Sequence, residues 1–393
     1  MKKLWLAFLS AWVLIFLFAG AAMAQGEAVN LVPFCGELSE RECAMLESVP
    51  ATMAELTSGT SENQVELYVT GGPLSSNKLS LQISTANSFV IEPETFARLR
   101  ELTAMSPQAL AADPEAATEA MLLPLTIDTE QTTTVTLSPD LLAMLSARFG
   151  TEIPAEIAFH SRLVDGVAYT RLADYAVFGT QPDWMPEWIG IELMAFVPAA
   201  MAAEVASGEF NVEEAQDALM SPGAAMGAGV IYHVPAEQVA WYADFMQLES
   251  LGTMAIDGDT ANLYRYTWNI PRYLGGPLFA QQAGILGADG EPTPASRILA
   301  IVSTILLDGL QAEVTQAVGV DDPYLYAVDM QVTWALGIAG GPPLAERPLV
   351  GLRSTTVNQD LNAVDAIPVP AGAVVPPISL LMQTMKMLVP AQN

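Results

Sequence analysis

Alternation between large apolar and small or polar residues constrains this chain most. In Tyr324-Leu-Tyr-Ala-Val-Asp-Met-Gln-Val-Thr-Trp334 every second residue is large and apolar: Tyr324, Tyr326, Val328, Met330, Val332 and Trp334. Between them stand Leu325, Ala327, Asp329, Gln331 and Thr333. Strand side chains alternate between two faces, so this pattern predicts a β-strand with one greasy face and one largely wet face. The run Tyr264-Arg-Tyr-Thr-Trp-Asn-Ile270 repeats it, with Tyr264, Tyr266, Trp268 and Ile270 on one side. Antiparallel sheets tolerate one-sided wetting and all-parallel sheets do not. The chain is therefore expected to build an antiparallel sheet that wraps something apolar, either its own helices or a ligand.

The remaining strands read the same way. Val65, Leu67 and Val69 alternate, as do Leu79, Leu81 and Ile83, and turn chemistry at Gly71-Gly72-Pro73 and Ser75-Ser76-Asn77 predicts a hairpin with a longer loop. Ile157–Val164 and Val167–Leu172 form a second hairpin around Asp165-Gly166. Strands at Leu251–Ile256 and Leu263–Ile270 turn at Asp257-Gly258-Asp259, and three more (312–318, 324–334, 349–358) close the chain. The helices are expected at 44–56 (interrupted by Pro50), from Pro93, after Ser138-Pro139-Asp140, within the Ala- and Met-rich 189–222 stretch, from Pro235 to Gln247, and at the C-terminus. The best helical pattern is 294–308, where Ile298, Ile301, Val302 and Ile305 fall at i, i+3, i+4 and i+7 and Gly309 stops the run. Helices and strands in this order, with strands joined by short turns, predict an α+β fold with an antiparallel sheet.

Residues 1–24 read as an export signal. Lys2 and Lys3 start it, Leu4–Ala19 is apolar, and Ala22-Met23-Ala24 is a small-x-small cleavage site. An uncleaved anchor is the alternative reading. Residues 25–393 then form one domain, with 92–150 as a mainly helical insertion. No later segment is expected to insert stably in a membrane. The apolar tail is broken by Pro376 and Pro377 and holds Lys386.

The chain carries 44 acidic and 15 basic residues, for a net charge of −29, and loss of Lys2 and Lys3 with the signal makes it −31. Such a surface repels nucleic acid and anionic headgroups. Only two cysteines occur, Cys35 and Cys43. In an oxidising exterior they are expected to bridge, with free thiols as the alternative. No histidine lies near them, so no metal site is expected there.

No catalytic signature stands out. The histidines are His160 and His233, and neither G-x-S-x-G nor H-E-x-x-H occurs. The paired acids Glu213-Glu214 and Asp321-Asp322 are expected by chance among 44. Asp257-Gly258-Asp259 lacks the later oxygens of a calcium loop and reads as a turn. No phosphate loop appears, and no cofactor is expected. The 18 methionines and the Tyr and Trp faces suit either a core or an adaptable apolar cavity.

Several phrases carry a resemblance. They are Val318-Gly-Val-Asp-Asp322-Pro-Tyr-Leu between two strands, Thr355-Thr-Val-Asn358-Gln-Asp360-Leu-Asn362 followed by Ile367-Pro-Val-Pro-Ala-Gly372, and Arg162-Leu-Val-Asp-Gly-Val-Ala-Tyr169 in a hairpin. Across about the last 240 residues the chain resembles the LolA-like superfamily of envelope lipid and lipoprotein carriers, in its LppX/LprAFG-type branch. The resemblance implies a curved antiparallel half-barrel with helices packed on its concave face, and an apolar cavity between them that holds acyl chains. It supplies no catalytic or positional binding residue. The chain is longer than typical members and has no lipobox cysteine, so it is expected to be untethered.

These readings converge on an exported, non-enzymatic protein that binds a lipid or other hydrophobic molecule. Its lining is expected from Tyr264, Tyr266, Trp268, Tyr326, Val328, Met330, Val332 and Trp334, covered by Ile298, Ile301, Val302 and Ile305. The alternative is a structural or interaction protein of the envelope, in which the same faces are solid core and a protein partner meets the acidic surface.

Overall fold

The computed structural model describes residues 31–377, apart from 72–73, 104, 106–112, 151, 175–185, 195–230, 257, 283–292, 295–297, 299–300, 303–304, 306, 308, 338–340 and 344–345. The expected export signal, most of the Ala- and Met-rich 189–222 stretch and the C-terminal helix lie outside the described residues.

Eleven strands make one open antiparallel sheet. They are β2 (Ser58–Gly71), β3 (Leu74–Val90), β4 (Asp128–Leu137), β5 (Glu156–Val164), β6 (Val167–Arg171), β7 (Trp188–Glu192), β9 (Met246–Ile256), β10 (Asp259–Trp268), β11 (Leu310–Gly319), β12 (Leu325–Ala335) and β13 (Leu349–Gln359). Their spatial order is β7-β6-β5-β4-β3-β2-β13-β12-β11-β10-β9, so β7 and β9 are the end strands and the sheet does not close; Val374 bridges to β7 at Ile189, and the Glu37 N–H bonds to the Leu248 carbonyl of β9. β1 (Leu31–Pro33) and β8 (His233–Pro235) pair in a separate two-stranded sheet. The large sheet is two meanders, one from each half of the chain, joined where β2 pairs with β13 over the length of both strands. With its helices, this is the α+β antiparallel arrangement expected from the alternation.

Local chemistry accounts for the turns. Asp165 and Gly166 take φ of 51° and 74°, as the two-residue turn between β5 and β6 requires. The β2–β3 hairpin is tighter than expected. Its strands run to Gly71 and from Leu74, so Ser75-Ser76-Asn77 belong to β3 rather than to a loop. The 92–150 stretch contributes α2 (Pro93–Thr103), α3 (Pro114–Leu122) and α4 (Pro139–Phe149), and also β4, which pairs on both sides inside the sheet. Its Thr residues pack well on a pleated surface, so a strand forms where the flanks are helical.

One helix seals one end of the sheet. α1 (Glu40–Met53) starts with a capping box. The Ser39 side chain accepts from the Glu42 N–H, and the Glu42 carboxylate accepts from the Ser39 N–H at 3.0 Å. The Ser39 hydroxyl also donates to the Glu42 carboxylate at 2.7 Å, and this bond first, then the Ser39 N–H, holds the Glu42 carboxyl below its ordinary pKa. The Cys35–Cys43 disulfide, with Cα atoms 5.5 Å apart, ties the lead-in to this helix. α1 buries Cys43, Leu46 and Val49 against Met246, Leu248, Tyr264, Tyr266, Val314, Val318 and Leu325 of β9–β12. Phe34, Ile231 and Val234 around the small sheet complete this core. A second, smaller core of Val164, Tyr169 and Ile367 lies toward the β7 edge. The remaining helices α5 (Val239–Phe245), α6 (Ile270–Gly275) and α7 (Pro277–Gln282) gather beside β9–β11.

Candidate functional site

Strand register turns separate alternations into continuous rows. Side chains directly opposite on neighbouring antiparallel strands share a face. Starting at β5 and ending at β9, one row reads Ile157, Val135, Ile83, Val65, Ser354, Met330, Val314, Tyr266 and Leu248. The next row, from β4 to β9, reads Leu137, Leu81, Leu67, Leu352, Val332, Ala312, Trp268 and Met246. These two rows make an apolar band across the inner face, the one that carries α1, while the next row on that face, Phe159, Thr133, Thr85, Asn63, Thr356, Val328, Gln316 and Tyr264, is largely polar away from the β10–β12 end.

Its burial is uneven. At the β9–β12 end, Tyr264, Tyr266 and Leu248 have no exposed surface. In the middle, on β2 and its neighbours, Leu67 is 43% exposed, and Val65, Leu81, Ile83, Val135 and Val332 are only half-buried. Leu352 is buried among them. An apolar floor thus continues out of the sealed core into partly open space.

The expected lining residues divide into four sets. Tyr264 and Tyr266 stand in the sealed core under α1. Their hydroxyls and the buried amide of Gln316 make no hydrogen bond of good geometry. Burial pushes the Tyr264 hydroxyl up to about 12, with the Glu42 charge adding to it, and raises Tyr266 further. Trp268, Val328 and Met330 pack at the margin of that core, where Trp268 stacks on Tyr266 with ring centroids 5.8 Å apart. Val332 and Trp334 continue this face toward the open middle, opposite Leu352 and Val350. Tyr326 is on the other side. The register slips between Ala317 and Val318 of β11 opposite this strand, so Leu325, not Tyr326, enters the core. The Tyr326 hydroxyl donates to Asp259 Oδ2 at 3.0 Å, beside a cavity of about 490 Å3 bordered by Asp322 and Asp360. Burial first, then the Asp259 interaction, raises its pKa to about 12.

Ile298, Ile301, Val302 and Ile305 form the fourth set. They are helical, as their spacing predicts, but they are 63, 61, 41 and 40% exposed. The helix presents its apolar stripe to solvent instead of covering the strands. The cover over Tyr264 and Tyr266 is α1, whose start was legible in Ser39-Glu40-Arg41-Glu42, the capping-box spacing.

The outer face is polar and ion-paired. Arg162 meets Glu130 at 2.6 Å, Arg353 meets Asp329 at 2.6 Å, and Arg265 pairs with Glu249. The Tyr68 ring lies against Gly351, where a Cβ would approach its Cζ to 2.2 Å. The two histidines stand apart. His160 of β5 contacts Asp174 at 2.9 Å, and His233 of β8 lies 3.6 Å from Glu47. No group of three metal-ligating side chains occurs among the described residues. No described helix is long and apolar enough to cross a membrane.

No protein-family model matches this chain, and no curated protein matches its sequence. Among solved structures, LprF from Mycobacterium bovis is similar at 9% identity with a TM-score of 0.28, over 85% of this chain and 99% of that one. Lipoprotein LppX from Mycobacterium tuberculosis is similar at 11% identity and a TM-score of 0.26, over 84% of this chain and 100% of that one. LolA superfamily protein NE2245 from Nitrosomonas europaea is similar at 8% identity and a TM-score of 0.15, over 82% of this chain and 94% of that one. These are the branch and the superfamily that the sequence resembles.

Proposed function

We propose that this is an exported, non-enzymatic protein that holds a hydrophobic molecule, a lipid or another acyl-bearing compound, against the inner face of its sheet. The observation that carries this reading is the uneven burial of the apolar rows. Folding needs a sealed core, and the β9–β12 end supplies one. Folding gains nothing from leaving Leu67 exposed and its apolar neighbours partly so, at a cost of about 25 cal/mol for each Å2 left uncovered. Exposed contiguous apolar surface on a protein marks a place where something binds.

The geometry narrows the lining. Tyr264 and Tyr266 are closed off beneath α1, and Tyr326 faces the other way. The residues that remain to touch a ligand are Trp268, Met330, Val332 and Trp334 from β10 and β12, joined by Val65, Leu67, Leu81, Ile83 and Val135 of β2–β4. Binding of this kind relies on shape and apolar burial, with few polar contacts. Nucleic acid is excluded as a partner by the charge of −29. A role in envelope lipid or lipoprotein trafficking fits an exported chain that carries such a ligand.

Solvent extraction of the purified protein, read by mass spectrometry, tests the reading directly. Co-purified lipid is expected, and the delipidated protein should take up a neutral fluorescent amphiphile saturably. Protein that neither carries nor takes up any apolar molecule would overturn it. A second reading, a protein–protein contact, is favoured by the exposed Ile298, Ile301, Val302 and Ile305 stripe. It requires capture of a partner that is lost when the stripe is made polar, with ligand uptake absent.

A further inference from the structure

The outer face of β9–β12 carries a groove of about 760 Å3, a volume typical of ligand clefts. It is built from a different side of the sheet than the apolar rows. Gln247, Thr267, Glu313 and Gln331 stand side by side on four successive strands. Gln311 and Thr333 form a directly opposed pair two residues along. Phe245 borders the groove, and Trp268 and Ala312 of the second apolar row reach it at its end.

Two properties of this lining select a ligand class. The first is charge. Arg265 is held by Glu249, and Arg272 donates to the Asp244 carbonyl at 3.2 Å and lies 3.7 Å from its carboxylate. Both guanidiniums are thus engaged. With Glu313 the groove holds three carboxylates against two cations, so it rejects phosphates and carboxylates. The second is hydrogen bonding. The amides of Gln247, Gln311 and Gln331 and the hydroxyls of Thr267 and Thr333 bond to no described residue. Amides and hydroxyls donate and accept at once, which suits a ligand whose own groups do both. An aromatic border suits the apolar face of a ring.

We propose that this groove binds a neutral saccharide through the Gln247, Gln311 and Gln331 amides and the Thr267 and Thr333 hydroxyls. The proposal is separate from the apolar ligand, because the five polar side chains stand on the face opposite the apolar rows and only Trp268 and Ala312 border both. It is tested by titrating the full chain with maltohexaose, cellohexaose and mannohexaose, read by saturation-transfer NMR and calorimetry. At least one should bind saturably. Replacing Gln331→Ala together with Thr333→Ala should weaken that binding about tenfold by removing two hydrogen-bonding groups. Uptake of an apolar probe should be unchanged in the same variant. Gln311→Leu, at an exposed position where the fold has nothing to lose, should weaken saccharide binding as well. Failure of all three saccharides to saturate, or equal binding by parent and both variants, would overturn the proposal.

Discussion

Leu67→Glu separates an open apolar floor from a sealed core. Leu67 lies between Leu81 and Leu352 in the second apolar row, and a little over half of its surface is buried. Full burial of a leucine contributes about 1.5–3 kcal/mol. The glutamate therefore forfeits about 1–1.5 kcal/mol, partly offset by its own methylenes, and its carboxylate reaches solvent in the free protein. Loss of stability should be about 1 kcal/mol by urea unfolding. Beneath an apolar ligand the same carboxylate loses its water without gaining a partner, at a cost of about 3 kcal/mol or more. That corresponds to a loss of affinity of about a hundredfold for N-phenylnaphthylamine, followed by fluorescence. Leu67→Met, close in volume, should leave both readings nearly unchanged. Unaltered affinity in Leu67→Glu would place the ligand elsewhere. A stability loss of 3–5 kcal/mol, the range of buried deletions, would mean that the floor is closed core and the reasoning is wrong.

Three further outcomes are expected. Leu46→Ala, in the sealed core, should cost about 2–5 kcal/mol by denaturant unfolding, while Ile301→Ala on the exposed stripe should cost less than about 0.5 kcal/mol; equal costs would contradict the placement of α1 as the cover. Raised folded-state pKa values of Tyr264, to about 12, and of Tyr266 mean that the unfolded chain releases these protons first, from its ordinary value of 10. Stability is then intact below pH 10 and falls as pH rises above it, so phenolate absorbance should appear together with loss of the circular dichroism of the fold, and ionisation of every tyrosine in an intact fold would refute this. Cys35→Ser with Cys43→Ser opens an eight-residue loop and should lower stability by about 2–3 kcal/mol, measured against the parent with and without reductant; no difference would mean that α1 is anchored by packing alone.

Alternation and turn chemistry made the strands legible one at a time. Asp165-Gly166 turns between β5 and β6, and Tyr264–Trp268 and Leu325–Trp334 lie in β10 and β12 as their patterns imply, whereas Ile270, expected on the same strand, opens α6 because Asn269 caps that helix. Pairing between strands was not legible, because it is a property of two segments at once. The slip opposite Ala317/Val318 moved Leu325 into the core and Tyr326 out, although strict alternation puts Tyr326 with Val328. The two apolar rows likewise exist only once β2 is set beside β13, some 290 residues away. Helix roles failed for a related reason. The 294–308 spacing describes a stripe without saying what meets it, and the better stripe is exposed. α1 looked weaker, with Pro50 inside it, yet it covers the tyrosines. The capping box at Ser39 was the available signal for its start.

The seam between β2 and β13 has a consequence for biogenesis. The strand that joins the two meanders is the last one made, so neither meander can find the other until residues 349–359 have been delivered. Before then β2 and β12 both display unpaired backbone, the template on which aggregates grow. On the proposed export route the chain, translocated from its N-terminus, waits through nearly its whole passage with that edge bare. A holdase is therefore expected to matter more for its yield than for proteins whose early strands are paired on both sides by near neighbours in sequence, and truncation ahead of residue 349 should yield insoluble material rather than a smaller folded protein.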